Sequence, residues 1–163
     1  MLQRFAGRIA ATTLVLATAV GATAAFAADE PANIVKYRKA FMDANGAHIS
    51  MIAAAVKGEV SFTDEIAPHA QALAEQAKLL TANLKQLFPE GTGKAEGADT
   101  AALPVIWEKW SDFEQHAQKF EEESAKLAEV AQDGDMAAIA QQLGALGKQG
   151  CGNCHETFRE KKS

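Results

Sequence analysis

Residues 73–87 read LAEQAKLLTANLKQL, and this stretch decides the expected fold. Its apolar residues recur at alternating four- and three-residue steps: Leu73, Ala77, Leu80, Leu84 and Leu87. On an α-helix this spacing places them along one side, as in the apolar seam of a packed bundle helix. The pattern predicts a helix that begins near Thr63 and ends at Pro89. Pro68 lies early in it, so we expect a late start or a small kink there.

Three further segments show apolar residues at helical spacing. They span residues 31–58, 104–134 and 135–162, and the first two end at a glycine, which is a common helix stop signal. No alternating strand pattern and no internal repeat accompany them. Four amphipathic helices joined by short or glycine-rich links predict an all-α fold, an antiparallel four-helix bundle.

The N-terminus has the form of a secretory leader. Residues 1–27 combine a basic start, an apolar run and small residues at Ala25 and Ala27. This pattern predicts a signal peptide cleaved after Ala27, which leaves residues 28–163 as one bundle domain. The alternative is an uncleaved membrane anchor, but the small-Phe-small ending favours removal. We therefore expect an exported, periplasmic protein with no membrane span after processing.

Composition excludes some classes of function. The chain has 163 residues, of which 48% are hydrophobic and 23% charged, enough apolar material for a real core. Cleavage would remove Arg4 and Arg8 and no acidic residue. The remaining chain would have 14 of the 16 basic residues and all 21 acidic residues, which gives a formal charge of −7. An acidic domain is a poor candidate for nucleic-acid binding. We interpret the acidic run 121–123 as a solvated face suited to a basic partner protein.

The chain has only two cysteines, and both lie in the motif Cys151-Gly-Asn-Cys154-His155 near its C-terminus. On a helix these three side chains project from one face within one turn. Two thiols can add across the vinyl groups of a haem while the adjacent imidazole binds the iron, which gives C-x-x-C-H its meaning as a c-type haem attachment motif. The motif therefore predicts one covalent haem c.

Three alternatives stay open for the cysteines. A structural zinc site requires four ligands. His48, His69 and His116 stand singly in the sequence, without a second C-x-x-C pair or another histidine at the spacing of a zinc site. A thioredoxin-like redox pair wants a βαβ surrounding, which this helical pattern does not offer. A structural disulfide would close so short a loop that it would remove little unfolded-state entropy.

These features together resemble the class II c-type cytochromes, that is, the cytochrome c′ proteins and their low-spin relatives of the cytochrome c-556 kind. The resemblance covers the chain after the leader. It rests on YRKAFM in the first helix, LFPEGT after the second, IWEKW opening the third, and CGNCHETFREKK at the C-terminus. Class I cytochromes c carry the haem motif near the N-terminus, so its position here discriminates between the two classes.

The resemblance implies roles for individual residues. His155 is the expected proximal iron ligand, Cys151 and Cys154 carry the thioethers, and the residue at the distal position is Met42. A helical wheel places Met42 on the apolar face of the first helix and turns Met51 away from it. Arg38 matches a position that pairs with a haem propionate in many relatives, the alternative being a surface salt bridge.

The spin state decides between two expected functions. With Met42 bound, the iron is six-coordinate and low-spin, and the protein is a periplasmic electron carrier without enzymatic activity. Its partners would be redox proteins with a basic docking surface, and the resemblance also implies a possible homodimer. With Met42 unbound, the protein is a five-coordinate cytochrome c′ that binds nitric oxide or carbon monoxide. A haem-free bundle with a disulfide is a third alternative.

Overall fold

The computed structural model describes residues 30–161. The expected signal peptide at residues 1–27 lies outside the described residues. Between residues 30 and 161 the chain is helical, and the pairing of extended backbone is confined to one antiparallel bridge, Ala102 to Arg159. In the same range no helix combines the length and apolar character needed to cross a bilayer.

Seven α-helices, one π-helical segment and two 3₁₀ turns make up the described chain. The α-helices are α1 (Pro31–Val56), α2 (Ile66–Ala82), α3 (Leu84–Leu87), α4 (Val105–Glu108), α5 (Trp110–Gln132), α6 (Met136–Ala145) and α7 (Asn153–Phe158). The π-helical segment is Leu146–Gly152, and the 3₁₀ turns are Thr63–Glu65 and Lys94–Glu96.

These elements form the four predicted bundle helices. The first is α1, the second joins α2 and α3, the third joins α4 and α5, and the fourth joins α6, the π-helical segment and α7. The central interface is that between α2 and α5, while α1 packs against α2 and α6, and the π-helical segment packs against α5. The four-helix bundle is thus confirmed.

The ends of the helices follow local chemistry. After α1 and α5 the chain turns at Gly58 and Gly134, whose φ angles of 72° and 69° lie in the left-handed region that glycine adopts without a Cβ penalty. Asp135 caps α6, because its carboxylate accepts hydrogen bonds from the amides of Ala137 and Ala138. The predicted start of α2 is confirmed as late, since its α-helical part begins at Ile66.

Two predicted helices are broken. The second is interrupted at Asn83, where φ is −116° and the side-chain Nδ2 donates to the carbonyl of Leu79 at 2.9 Å. Side-chain amides of this kind compete with the helical backbone, which explains the break. The third is interrupted at Lys109, where φ is −124° and ψ is 49°.

The core lies where the apolar seams meet. Its fully buried large side chains come from all four bundle helices: Ile52, Leu73, Ile106, Leu127, Ile139 and Leu146. Small residues on α2, namely Ala70, Ala74 and Ala77, are buried among them and leave room for the α5 backbone to approach. The predicted seam along residues 73–87 is therefore the face that α2 and α3 bury.

Candidate functional site

The cysteine motif begins at the end of the π-helical segment. Cys151 lies in that segment, whereas Cys154 and His155 lie in α7. The expectation of one regular helix is wrong here, because the wider π turn changes the side-chain directions that α-helical spacing would give. Short π-helical stretches inside α-helices are frequent at functional sites.

Glycine lets this segment lie close to α5. A Cβ built on Gly150 would be 2.8 Å from Leu146 Cδ1 and 3.3 Å from the Cα of Phe120. At Gly147, in the same segment, a Cβ would meet nothing within 4 Å. Gly150 is therefore the position where the backbone approaches α5, and it fixes the depth at which the following Cys151 lies.

The three motif side chains are half-buried and uncharged. No disulfide joins Cys151 to Cys154 in the described part of the chain. Burial raises the pKa of the Cys151 thiol, and burial, together with the charge of Cys151, raises the pKa of Cys154 to about 11. Burial, followed by the neighbouring Arg159 charge, lowers the pKa of His155. The neutral imidazole is the form that can bind a metal, since its lone pair is free.

The turn that carries the motif is held by the segment before α4. The amide of Leu103 donates to the carbonyl of Phe158 at 3.1 Å, and the amide of Glu160 donates to Ala101 at 2.8 Å. The Phe158 ring is buried against Phe113, with a centroid distance of 5.2 Å. The Arg159 side chain is exposed, although its charge acts on both Cys154 and His155.

Met42 lies on α1, where the helical wheel placed it. Its side chain is half-buried and packs against the core cluster, as do those of Phe41 and Ile49. Met51 is 41% exposed, which confirms that it points away. Among the described residues no packed interface joins α1 to the π-helical segment or to α7. Met42 and His155 thus lie on elements that are not closely packed against each other.

Arg38 is buried, with only 3% of its surface exposed. Its Nη1 donates to the Leu87 carbonyl at 3.1 Å and to Thr92 Oγ1 at 3.0 Å, and its Nη2 donates to the Thr92 carbonyl at 2.8 Å and to Thr100 Oγ1 at 3.0 Å. The guanidinium also lies over the Phe88 ring, 4.5 Å from its centroid. The alternative of a surface salt bridge is therefore wrong.

No carboxylate in residues 30–161 pairs with Arg38. Burial lowers the pKa of this guanidinium to about 10, which still leaves a cation at neutral pH. A buried charge without a counter-charge is costly. An anionic group brought in by a cofactor would relieve that cost. Within the described part of the chain, the four terminal N–H groups of Arg38 already have acceptors, which leaves its Nε–H for such a group.

Asn45 is a polar residue that the sequence reading missed. It is 5% exposed, and neither its Nδ2 nor its Oδ1 has a hydrogen-bond partner among the described residues. It continues the row formed by Arg38 and Met42 at four- and three-residue steps, so the register could have revealed it. An unpartnered buried amide costs about 1–3 kcal/mol, which a polar edge of a bound group would offset.

These residues fit a haem c and do not fit the alternatives. Two uncharged thiols, a neutral imidazole, a buried cation without an anion and an unpartnered amide match a porphyrin with propionates. Residues 30–161 contain no group of three or more histidine, cysteine or acidic side chains placed for a metal ion, which leaves a zinc site at the cysteine motif unsupported. The βαβ surrounding of a redox pair is not found in the described part either.

Comparisons with known proteins agree with this site. The family model for cytochrome c′ matches residues 33–159. The cytochrome c′ of Pararhodospirillum photometricum is 40% identical over 130 residues, which are 80% of this chain and 98% of that protein. The cytochrome c-554 of Cereibacter sphaeroides is 34% identical over 129 residues, 78% of this chain and 93% of that protein.

Solved structures share the fold. A nitric oxide complex of a cytochrome c′ variant from Alcaligenes xylosoxidans matches with a TM-score of 0.69 and 28% identity, over 82% of this chain and 98% of that one. A carbon monoxide complex of another variant of that protein matches with a TM-score of 0.68 and 27% identity, over 81% of this chain and 98% of that one. With the family model and the relatives, these matches show that the chain belongs to the cytochrome c′ family and that its cofactor is covalent haem c.

Proposed function

We propose that this chain is a five-coordinate cytochrome c′ that binds nitric oxide or carbon monoxide at its haem iron. The observation that carries the proposal is the match over nearly the full length of cytochromes c′ solved as nitric oxide and carbon monoxide complexes. It supports this function better than it supports the electron carrier with Met42 as a ligand, which the sequence analysis placed first.

In this proposal Cys151 and Cys154 hold the haem through thioether bonds and His155 binds its iron. A bound haem would supply a redox-active iron that can take up a small gaseous ligand. The lowered pKa of His155 keeps its imidazole neutral, which leaves a lone pair free to bind the iron. Arg38 supplies a positive charge for a haem propionate, and residues 87–100 hold its guanidinium in place.

Met42 has a steric role in this function. Its half-buried side chain packs against the core together with Phe41 and Ile49, so that the distal side is apolar and crowded. Such a surface excludes water and admits small uncharged ligands, because a polar molecule would lose its hydration without compensation. The Asn45 amide, one turn further along α1, is the nearest unpartnered polar group in the row that faces the core.

We also propose where the protein is located and what it binds. The protein is exported to the periplasm after removal of residues 1–27, it catalyses no bond chemistry of its own, and its redox partners present a basic surface. A homodimer through α1 and α2 is supported by apolar side chains that stay exposed there: Tyr37, Met51 and Leu79. Sedimentation of the processed protein measures the dimer directly.

Gas titration of the reduced holoprotein tests the function. We expect carbon monoxide and nitric oxide each to bind with one molecule per chain, followed as a shift of the Soret band. Met42→Ala should strengthen carbon monoxide binding about tenfold, or 1.4 kcal/mol, because it removes the crowding side chain. Met51→Ala, on the exposed side of the same helix, is the matched control and should leave the affinity for carbon monoxide unchanged. A reduced protein that binds neither gas would overturn the proposal.

A further inference from the structure

His48 on α1 and His69 on α2 face each other. Their Nδ1 atoms are 3.1 Å apart, and the ring centroids are separated by 5.2 Å. These two histidines have no closely spaced partner in the sequence, but the fold brings them together. The pair lies apart from the haem site, because His48 is six residues beyond Met42 on α1 and so is turned by about 120° around the helix axis.

The distance between the two Nδ1 atoms matches the distance between two imidazole nitrogens bound to one metal ion. Imidazole nitrogens bind zinc at about 2.0–2.1 Å, so two of them on one ion lie about 2.9 Å apart at a right angle and about 3.3 Å apart in a tetrahedron. The observed distance falls between these limits. It also allows a hydrogen bond between two neutral rings, one donating and one accepting, so the distance alone does not select a metal.

The second nitrogen of His69 gives independent support. Nε2 is buried and has no hydrogen-bond partner among the described residues, yet it lies 3.7 Å from the Glu65 carboxylate, one turn earlier. A metal on Nδ1 fixes the proton on Nε2, and a histidine ligand usually directs that proton at a carboxylate. Glu65 stands where such an outer partner is needed.

We propose that His48 and His69 chelate a divalent transition-metal ion of the zinc or copper class through their Nδ1 atoms. Imidazole suits these ions, whereas Mg²⁺ and Ca²⁺ prefer oxygen ligands. With two protein ligands the remaining coordination positions are filled by water. Both rings are half-buried, so the ion reaches them from solvent, and the site is exchangeable. The bound ion links α1 to α2.

Zinc titration of the holoprotein by isothermal calorimetry tests the site. At neutral pH we expect one zinc ion per chain, with no heat from Mg²⁺. His48→Gln and His69→Gln should each weaken binding at least tenfold, and Glu65→Gln should weaken it about tenfold, as removal of an outer partner does. His116→Gln, a histidine outside the pair, is the matched control and should bind zinc as the unmutated protein does.

Two results would overturn the proposal: no saturable zinc binding, or binding that is equal in all four variants and so comes from scattered surface groups. Circular dichroism and the haem spectrum show whether the variants fold. If they do not, ¹⁵N spectra of the unmutated protein decide the matter, because zinc must shift the imidazole signals of His48 and His69 and leave that of His116 in place.

Discussion

At the scale of single residues, Arg38 links the first helix to the irregular segment that follows α3. Its terminal N–H groups bind Leu87, Thr92 and Thr100, and the buried Thr92 hydroxyl in turn donates to the carbonyl of Pro89. One side chain thereby orders a stretch that has no regular secondary structure apart from one 3₁₀ turn. The same side chain supplies the charge proposed for a propionate.

Truncation of Arg38 should be costly for this reason. We predict that Arg38→Ala lowers the free energy of unfolding of the holoprotein by about 2–4 kcal/mol, since it leaves buried carbonyls unpaired. Lys39→Ala removes the neighbouring ion pair with Asp99, which is exposed, and should lower the free energy of unfolding far less than Arg38→Ala does. Denaturant unfolding measures both, and equal effects of the two substitutions would contradict this role of Arg38.

Sequence reasoning recognised the residues of the motif but not the partners of Arg38. Cys151, Cys154 and His155 are close in sequence, so their chemistry follows from spacing alone. The hydrogen bonds of Arg38 reach residues 49–62 positions away, in a segment without periodicity. Only the folded path of that segment reveals which carbonyls and hydroxyls surround the guanidinium.

At the scale of elements, the fourth bundle helix departs most from its expected form. Periodicity predicted its extent well, because the apolar residues of α6 and the π-helical segment bury a common face against α5. It could not predict the π turn, because that depends on how closely Gly150 approaches Phe120. Periodicity also failed to predict the helix breaks at Asn83 and Lys109, because the apolar spacing continues across both residues.

Substitutions at two glycines of this segment distinguish the effect of close packing on stability from the effect of helix propensity. Gly150→Ala should lower the free energy of unfolding by about 1–2 kcal/mol, because the added methyl group meets Leu146 and the Phe120 backbone. Gly147→Ala meets nothing and should be neutral or stabilising by up to about 1 kcal/mol. Thermal and denaturant unfolding of both holoproteins provide the measurement. Stabilisation by Gly150→Ala would show that the segment does not approach α5 as described.

The interface between α5 and α6 contains a buried carboxylate. Glu123 was expected on a solvated face, but its side chain is 4% exposed and accepts from Gln142 Nε2 at 2.8 Å and from Lys119 Nζ at the same distance. The bonds from Lys119 and Gln142 lower the pKa of Glu123 to about 2. The sequence could not separate Glu123 from Glu121 and Glu122, because all three side chains have the same charge.

This carboxylate should make stability depend on pH. A pKa lowered from 4.5 to about 2 means that the ionised group stabilises the fold above pH 4.5 and that this contribution is lost as the pH falls toward 2. Glu123→Gln should cost about 1–3 kcal/mol at neutral pH and progressively less in acid. Unfolding curves across this range test it, with Glu129→Gln, an exposed glutamate on the same helix, as the control. A cost that does not change with pH would contradict the assignment.

At the scale of the whole molecule, the bundle holds two faces apart. The core formed by α2 and α5 fixes α1 on one side and the motif segment on the other, and among the described residues these two are not packed together. Apolar seams were enough to predict this architecture. The coordination of the iron was not predictable in the same way, because a methionine on an apolar face packs equally well whether or not its sulfur binds a metal.

The electron paramagnetic resonance spectrum of the oxidised holoprotein, recorded with and without Met42→Leu, tests the central claim most directly. Leucine keeps the volume of the side chain and removes the sulfur, so the fold should survive at a cost below about 1.5 kcal/mol. A five-coordinate iron with His155 as its single protein ligand predicts a high-spin signal that is the same in both proteins. A low-spin signal that becomes high-spin in the variant would contradict the account and establish Met42 as the sixth ligand.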